Sequence, residues 1–127
     1  MDDKIITIST DDICVDAELG TNATAAKILE ALPFDSTVNT WGDEIYFTIP
    51  VTLQQEPDAR VEVEIGELAY WPAGKAFCIF FGPTPVSRDE KPRAYSPVNV
   101  FGRVLGDATV LKGIANGAQI RVNRKQS

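Results

Sequence analysis

The sequence predicts a mainly β domain, a closed or nearly closed antiparallel barrel with one or two helices covering its ends. Apolar and polar residues alternate in at least eight short segments, which is typical of half-buried strands. Gly, Pro, Asn and Asp separate these segments as turn residues do. Only one segment has clear helical spacing, and a closed barrel would leave no sheet edges exposed. The 127 residues are enough for one core, so we expect a single domain spanning residues 1–127.

The stretch AFCIFF (76–81) illustrates how the strands are expected to lie. Successive side chains of a strand point to opposite faces of the sheet. Phe77, Ile79 and Phe81 therefore form one set, and Cys78 and Phe80 form the other. The other strand candidates are KIITIS, DICVDAEL, EIYFTI, RVEVEI, ELAYW, VNVFGRVL and AQIRVN.

One helix is predicted in TNATAAKILEALP (21–33). Thr21 or Asn22 can cap its N-terminus, and the aliphatic residues that follow fall on one face. Pro33 ends the helix because the residue before a proline is pushed out of the helical region. A second, short helical turn is predicted within residues 107–117.

The residue types present limit the chemistry. The chain has no histidine, which excludes His-based triads, imidazole metal ligands and histidine acid–base catalysis. Cys14 and Cys78 are two isolated cysteines without companion ligands, so we interpret both as reduced thiols. We expect neither a metal site nor a cofactor.

The charges are distributed unevenly along the chain. Residues 1–67 carry 15 of the 18 acidic residues with three basic ones, whereas residues 68–127 carry nine basic residues against three acidic ones. Either the surface is dipolar and steers a charged ligand, or acidic and basic strands are neighbours in one sheet. The second alternative is the simpler one.

The same composition bears on partners and location. Without a dense Lys/Arg run, a nucleic-acid partner is not expected. No apolar stretch approaches the ~20 residues of a membrane helix, so no membrane association is expected. The N-terminal MDDKIITIS is acidic where a signal peptide would be basic, which favours a cytoplasmic location.

Several motifs, taken in order, resemble cyclophilins. NATAAKILEALP resembles the first cyclophilin helix, and AFCIFFG and VNVFGRVLGD resemble two of the strands. More closely, WGDEIYFTIP, GELAYWPAGKAFCIFFGPTP and VNVFGRV resemble a family of small prokaryotic cyclophilin-like proteins of unassigned function, from about residue 4 to residue 123. The resemblance implies a closed eight-stranded antiparallel cyclophilin-like barrel with a helix at each end.

The resemblance does not carry over the isomerase site. Peptidyl-prolyl isomerases of this fold use an Arg on the third strand and a Gln on the next one. Residues 41–50 of this chain contain no Arg, although Gln54 and Gln55 follow. Rotation about a prolyl amide has a barrier of ~18–20 kcal/mol, and the missing guanidinium would help to lower it. Trp71 also stands where cyclophilins place small residues, and it would narrow or fill the proline pocket.

The candidate site lies on the outer face of the barrel. A carboxylate beside a phenol and the indole of Trp41 suits a cationic or amide-bearing ligand; alternatively, Trp41 packs under a loop and the carboxylate pairs with an Arg. The Gly-Pro-Thr-Pro that follows AFCIFF could form a rigid rim. The polar segment 87–97 could supply a wall, or it could be an ordinary connection. The predicted ligand-binding residues are Glu44, Tyr46, Trp71, Phe80, Thr84 and Tyr95.

These observations predict a barrel that binds a small ligand or a proline-containing peptide segment in an outer-face groove, without ordinary prolyl isomerase activity. One alternative is an isomerase with a substituted site that uses Gln55 and an Arg from another strand. Another is a subunit of an amide-hydrolysing system, because related barrels are found in such systems. The absence of His and of a nucleophile elbow argues against independent catalysis. The sequence makes no prediction of oligomeric state.

Overall fold

The computed structural model describes residues 4–125, which form ten strands, one α-helix and two short 3-10 turns. The helix α1 spans Ala23–Ala31, and the 3-10 turns span Pro72–Gly74 and Ala108–Gly113. The strands are β1 (Ile5–Ser9), β2 (Cys14–Leu19), β3 (Phe34–Thr37), β4 (Asn39–Thr40), β5 (Glu44–Thr48), β6 (Arg60–Glu62), β7 (Glu67–Trp71), β8 (Ala76–Phe80), β9 (Arg93–Val104) and β10 (Gln119–Arg124).

All strand pairs are antiparallel and belong to one sheet with the order β3-β10-β1-β2-β9-β7-β8-β5-β4, with β6 paired to β9. The two ends of this path, β3 and β4, are consecutive in the chain and are separated only by Val38. Between β3 and β5, the Ser36 hydroxyl donates to the Thr48 carbonyl at 2.7 Å. No backbone ladder joins β3 to β5 among the described residues, so the sheet is mainly antiparallel β as predicted but the closed barrel is not confirmed.

Each of the eight predicted strand segments contains a strand, and two further strands were not predicted. β3 and β4 lie in FDSTVNT, where polar residues hide the alternation. The strand predicted in RVEVEI was longer than the observed one, since β6 ends at Glu62 and Ile65 is 53% exposed. The reason is that β6 pairs only with the first part of β9, with a register shift between Arg60 and Glu62.

The helix begins where the sequence indicates. Asn22 is the N-cap, and its side-chain oxygen accepts a hydrogen bond of 2.9 Å from the Ala25 amide. Within the predicted 107–117 turn, Asp107 caps the 3-10 segment by accepting from the Thr109 amide at 2.9 Å. No helix among residues 4–125 is long and apolar enough to cross a bilayer.

The sheet has apolar side chains on both faces. The larger core lies on the inner face and includes Phe77, Ile79 and Phe81, while Cys78 and Phe80 belong to a smaller cluster on the outer face. This arrangement confirms the predicted alternation in AFCIFF. The buried members of the outer cluster are Val63, Ala69, Ala76, Cys78, Phe80, Ala94 and Val98.

Strand β9 covers this outer cluster. It begins at Arg93, so the last part of the segment 87–97 is a strand and not an ordinary connection. Ala94 and Val98 are buried against the outer face, and this apolar contact holds the segment on the sheet. The start of β9 pairs with β6, and its later part pairs with β7 and β2. The first part of β9 therefore covers part of the outer face of the sheet.

The ion pairs account for the uneven charge distribution. Six of the seven ion pairs among the described residues join an acid of residues 1–67 to a base of residues 68–127. Arg121 meets Asp35 at 2.7 Å across the β3–β10 ladder. Arg103 meets Glu18 at 3.2 Å across β2–β9. This pairing favours the alternative in which acidic and basic strands are neighbours.

Candidate ligand-binding site

A tight hairpin turn between β4 and β5 holds two site residues together. The Trp41 amide donates to the Glu44 carbonyl at 2.9 Å, and the Glu44 amide donates to the Trp41 carbonyl at 3.2 Å. Gly42, the first central residue, has a φ of 59°, and only there in this turn is φ positive, as in a type II′ turn. The sequence WGDE therefore places an indole and a carboxyl side by side at one end of β5.

The Gly-Pro-Thr-Pro segment supports this turn. The Asp43 amide donates to the Pro83 carbonyl, and the Phe81 amide donates to the Asp43 carbonyl, both at 2.9 Å. A Cβ atom on Gly42 would lie 2.7 Å from Cδ of Pro85, so the two segments are in close contact. The Thr84 hydroxyl donates to the Arg93 carbonyl and is thereby used within the protein. The segment is a structural support for the cavity wall.

A cavity of about 170 Å³ lies on the outer face, between β5, β7 and β8 on one side and the start of β9 on the other. For comparison, an engineered apolar cavity of ~150 Å³ holds one benzene molecule. The cavity thus has room for one compact chemical group. Its lining residues are Trp41, Glu44, Tyr46, Trp71, Cys78, Ala94, Tyr95 and Val98.

Four aromatic rings form most of the wall. Tyr95 makes edge-to-face contacts with Trp41 and Trp71, with ring centroids 6.1 Å and 6.2 Å apart. Trp71 makes a third such contact with Tyr46, at 6.2 Å. The Trp71 indole N–H donates to the Ser96 hydroxyl at 2.7 Å, which fixes the ring. Each ring is turned by 77–87° from its neighbour, as adjacent walls of a box are.

Glu44 brings a carboxyl group into this apolar surrounding. The residue is 5% exposed and forms no ion pair with any of the described residues. Burial raises the pKa of Glu44 to about 8, and the neighbouring Cys78 thiol opposes this rise only in part. Burial, together with the neighbouring Glu44, also raises the pKa of the Cys78 thiol. The Glu44 carboxyl is therefore mostly protonated at neutral pH.

The structure brings four of the six predicted ligand-binding residues together and leaves two outside. Glu44, Tyr46, Trp71 and Tyr95 line the cavity. Phe80 is fully buried in the outer cluster, where it lies opposite Glu44 in the β5–β8 ladder, and Thr84 supports the rim. Phe80 lies on the outer face as its strand period predicts, but neither Phe80 nor Thr84 is among the cavity-lining residues. Ligand binding by the other four stays a prediction.

Three lining residues were not considered as ligand contacts in the sequence. Cys78 was assigned to the outer face, which was the available signal. Ala94 and Val98 belong to the first part of β9, and the pairing of β9 with β6 gives no pattern in the sequence. Trp41, the neighbour of Glu44 in the turn, completes the wall.

The residues that would serve a substituted isomerase lie elsewhere. No Arg or Gln is among the cavity-lining residues. Gln54 and Gln55 are exposed, and the Gln54 carbonyl accepts from the buried Asn99 at 3.0 Å. Arg93 precedes the cavity-lining residue Ala94 in the sequence, but its guanidinium lies 3.6 Å from the Glu62 carboxylate. The alternative in which Glu44 pairs with an Arg is likewise not found among residues 4–125.

The described residues include no group of three or more His, Cys, Asp or Glu side chains that could hold a metal ion. Within the cavity, Glu44 and Cys78 are the two side chains of ligating type. Two such groups are fewer than the three or four protein ligands of a typical zinc site. The chemistry available in the cavity is thus that of one carboxyl group, one thiol, two phenols and two indoles.

Comparison with known proteins identifies the family. A sequence model described as cyclophilin-like matches residues 4–123. The solution structure of a hypothetical protein from Archaeoglobus fulgidus superimposes with a TM-score of 0.81 at 41% sequence identity, over 98% of this chain and 96% of that one. Among curated proteins, none matches at a significant level. The resemblance inferred from the motifs is confirmed, and the chain belongs to the cyclophilin-like family.

Proposed function

We propose that the protein binds a small cytoplasmic ligand in the outer-face cavity and does not catalyse ordinary prolyl isomerisation. One observation carries this proposal: a nearly buried carboxyl group, Glu44, faces an aromatic-walled cavity and has no basic partner among the described residues. Buried ionisable groups are normally paired, because an unpaired one costs free energy on folding. An unpaired carboxyl in a concave site is therefore a functional-site candidate.

The shape of the cavity favours one compact group over a long segment. Its volume of about 170 Å³ exceeds only slightly the volume that holds one benzene ring. The ring of Trp71, which the hydrogen bond to Ser96 fixes, forms part of the cavity wall. A peptide could insert a single side chain here, whereas an extended proline-containing segment would have to displace the aromatic wall.

The absence of a guanidinium supports the second half of the proposal. A guanidinium offers five N–H donors to a twisted prolyl amide, whereas a protonated Glu44 offers one O–H. Each factor of ten in rate requires ~1.4 kcal/mol of transition-state stabilisation. A cavity without a strong donor array can hold a ligand without accelerating rotation about a prolyl bond.

A titration followed by NMR and tryptophan fluorescence tests the proposal. Both tryptophans of the chain line the cavity, so a ligand that enters should change their emission. We expect at least one compound of a metabolite set to shift the amide resonances of residues 41–46 and 94–98. Glu30→Gln, which removes one carboxylate from the exposed side of α1, should behave as the wild type.

A protease-coupled assay on an Ala-Pro peptide tests the isomerase alternative. We expect relaxation at the uncatalysed rate, on the order of tens of seconds. Fast cis–trans turnover that is lost in Glu44→Gln would overturn the proposal in favour of a substituted isomerase. A complete absence of resonance shifts near the cavity would overturn the ligand-binding half.

A further inference from the structure

We infer that the group received by the cavity is an alkylated ammonium, such as that of choline or of a methylated lysine, with Glu44 as its counter-ion. This inference rests on the proposed function and names the class of ligand. It follows from three properties of the cavity that point the same way: the aromatic walls, the sign of the charge, and the scarcity of hydrogen-bonding groups.

The walls are those that an organic cation prefers. Aromatic rings present a negative face and attract a cation within about 6 Å of the ring centroid. Trp41, Tyr95, Trp71 and Tyr46 follow one another at centroid separations of 6.1–6.2 Å, each nearly perpendicular to the next. All four rings line the cavity, so a group of tetramethylammonium size inside it lies next to aromatic side chains.

The ionisable side chains that line the cavity can carry a negative charge and not a positive one. The ionisable side chains that line it are Glu44, Cys78, Tyr46 and Tyr95, and none of them is basic. On the turn beside Glu44, Asp43 has its own partner in Lys112, at 3.9 Å. The protein carries a net charge of −6, which favours the approach of a cation over that of an anion.

The polar groups are too few for a bare ammonium or a guanidinium. A lysine ammonium carries three N–H donors and a guanidinium carries five. The Trp71 indole is a donor already bonded to Ser96, and the acceptors on the lining side chains are the Glu44 carboxylate and two phenols. Donors left without acceptors would be costly in this buried setting. A quaternary ammonium has no N–H and presents methyl groups to the rings.

Binding of such a cation would be linked to loss of a proton. Burial raises the pKa of Glu44 to about 8. A cation in the cavity stabilises the carboxylate, so the Glu44 proton passes to solvent as the ligand enters. The affinity should therefore rise about tenfold per pH unit below pH 8 and level off above it.

Calorimetric titration with choline and with its neutral isostere 3,3-dimethylbutan-1-ol tests the inference. At pH 8 we expect choline to bind at least about tenfold more tightly, because the two molecules differ chiefly in charge. Titrations in buffers of different ionisation enthalpy at pH 6.5 should show close to one proton released per choline. Nα-acetyl-trimethyl-lysine amide, measured in parallel, separates a protein side chain from a free metabolite as the source of the ammonium group.

Two variants make the experiment specific. Glu44→Gln should lower choline affinity at pH 8 by about tenfold or more and abolish proton release, while Glu30→Gln leaves both unchanged. Tyr95→Leu, at an exposed position that folding tolerates, should weaken choline by about two- to fivefold and leave the neutral isostere unaffected.

The outcomes separate this inference from the proposed function. If the neutral isostere binds as tightly as choline, or choline does not bind while a neutral compound does, the ammonium assignment is wrong and ligand binding stands. If no compound perturbs the cavity residues, both fail. Choline binding that is independent of pH and of Glu44 would also overturn the assignment of the counter-ion.

Discussion

The two faces of strands β5 and β8 have the same backbone ladder and opposite properties. On the inner face, Phe47 and Phe77 stack with ring centroids 4.9 Å apart. Phe101 makes an edge-to-face contact with Phe77, with ring centroids 5.1 Å apart. On the outer face, Glu44 and Tyr46 stand where the inner face has apolar residues, and a cavity remains above them. One face is filled with apolar contacts, and the other keeps an ionisable group out of water.

This difference separates what stabilises the protein from what it can bind. The inner face contributes stability because every apolar side chain removed from water adds to it. The outer face loses part of that gain, since the cavity has few contacts and the carboxyl group is desolvated without a charged partner. A chain selected for stability alone would fill this space. The substitutions below test whether the two faces differ in this way.

The largest expected effect is on the inner face. Phe77→Ala removes a fully buried ring that contacts Phe34, Phe47 and Phe101, and it should lower the free energy of unfolding by about 3–5 kcal/mol. Urea denaturation followed by circular dichroism measures this loss. Cys78→Ala, at the adjacent residue on the outer face, removes only a sulfur atom and should cost less than about 1.5 kcal/mol. Equal losses at both positions would remove the distinction between the faces.

The next effect is a dependence of stability on pH that comes from the outer face. The pKa of Glu44 is raised from 4.5 to about 8 by burial. A raised pKa means that the folded state holds the proton more tightly than the unfolded state does. The contribution of Glu44 to stability is then fully present below pH 4.5, falls as the pH rises from 4.5 to 8, and is constant above 8.

Glu44→Gln removes this dependence, because glutamine resembles the protonated acid in shape and does not ionise. We expect the variant to be more stable than the wild type at pH 8.5 by roughly 2–4 kcal/mol and similar to it at pH 4.5. Thermal and urea unfolding at several pH values measure the difference. Glu30→Gln should give parallel curves with the wild type. If Glu44→Gln is destabilised equally at both pH values, Glu44 is an ordinary structural residue.

The sequence predicted the inner face better than the outer one, for a physical reason. The inner set of AFCIFF follows from the two-residue period of a strand, which any single segment displays. The eight strand segments were found in the same way. β3 and β4 were missed because polar residues such as Asp35, Ser36 and Asn39 interrupt the alternation, and their pairing with β10 and β5 is invisible in the sequence.

The candidate site was predicted only in part because it depends on long-range packing. Glu44 and Tyr46 share a face by strand periodicity, so their proximity was predictable. The position of Tyr95 between two tryptophans depends on the extension of β9 over the outer face, which polar residues 87–92 gave no reason to expect. Phe80 lies on the same face as Cys78 by strand periodicity, but it is buried in the outer cluster. Burial by other segments of the chain cannot be predicted from the pattern of one strand.

A smaller effect is expected at the turn between β4 and β5. Gly42 has a positive φ of 59°, which alanine rarely adopts. The Cβ atom added in Gly42→Ala would also lie 2.7 Å from Cδ of Pro85 and 2.9 Å from Cα of Thr84. We expect a loss of about 1–3 kcal/mol, measured by urea denaturation. Gly106→Ala is the control, because Gly106 also has a positive φ (84°) but its added Cβ would meet nothing within 4 Å. The excess cost at Gly42 measures the contact between turn and rim. No excess would mean that the rim does not support the turn.

The smallest effect on stability should accompany a large effect on the cavity. Tyr95 is 73% exposed, so Tyr95→Ala should change the free energy of unfolding by less than about 0.5 kcal/mol. The same substitution removes the ring that contacts both tryptophans, and more of Trp41 and Trp71, which are half-buried, would be exposed to water. Their emission should therefore shift to longer wavelength and be quenched more strongly by acrylamide, whereas Tyr95→Phe keeps the ring and leaves both unchanged. A large loss of stability with unchanged emission would mean that Tyr95 belongs to the packed structure. The predicted result, altered emission at constant stability, would separate the outer face from the inner one, where no ring can be removed without unfolding cost.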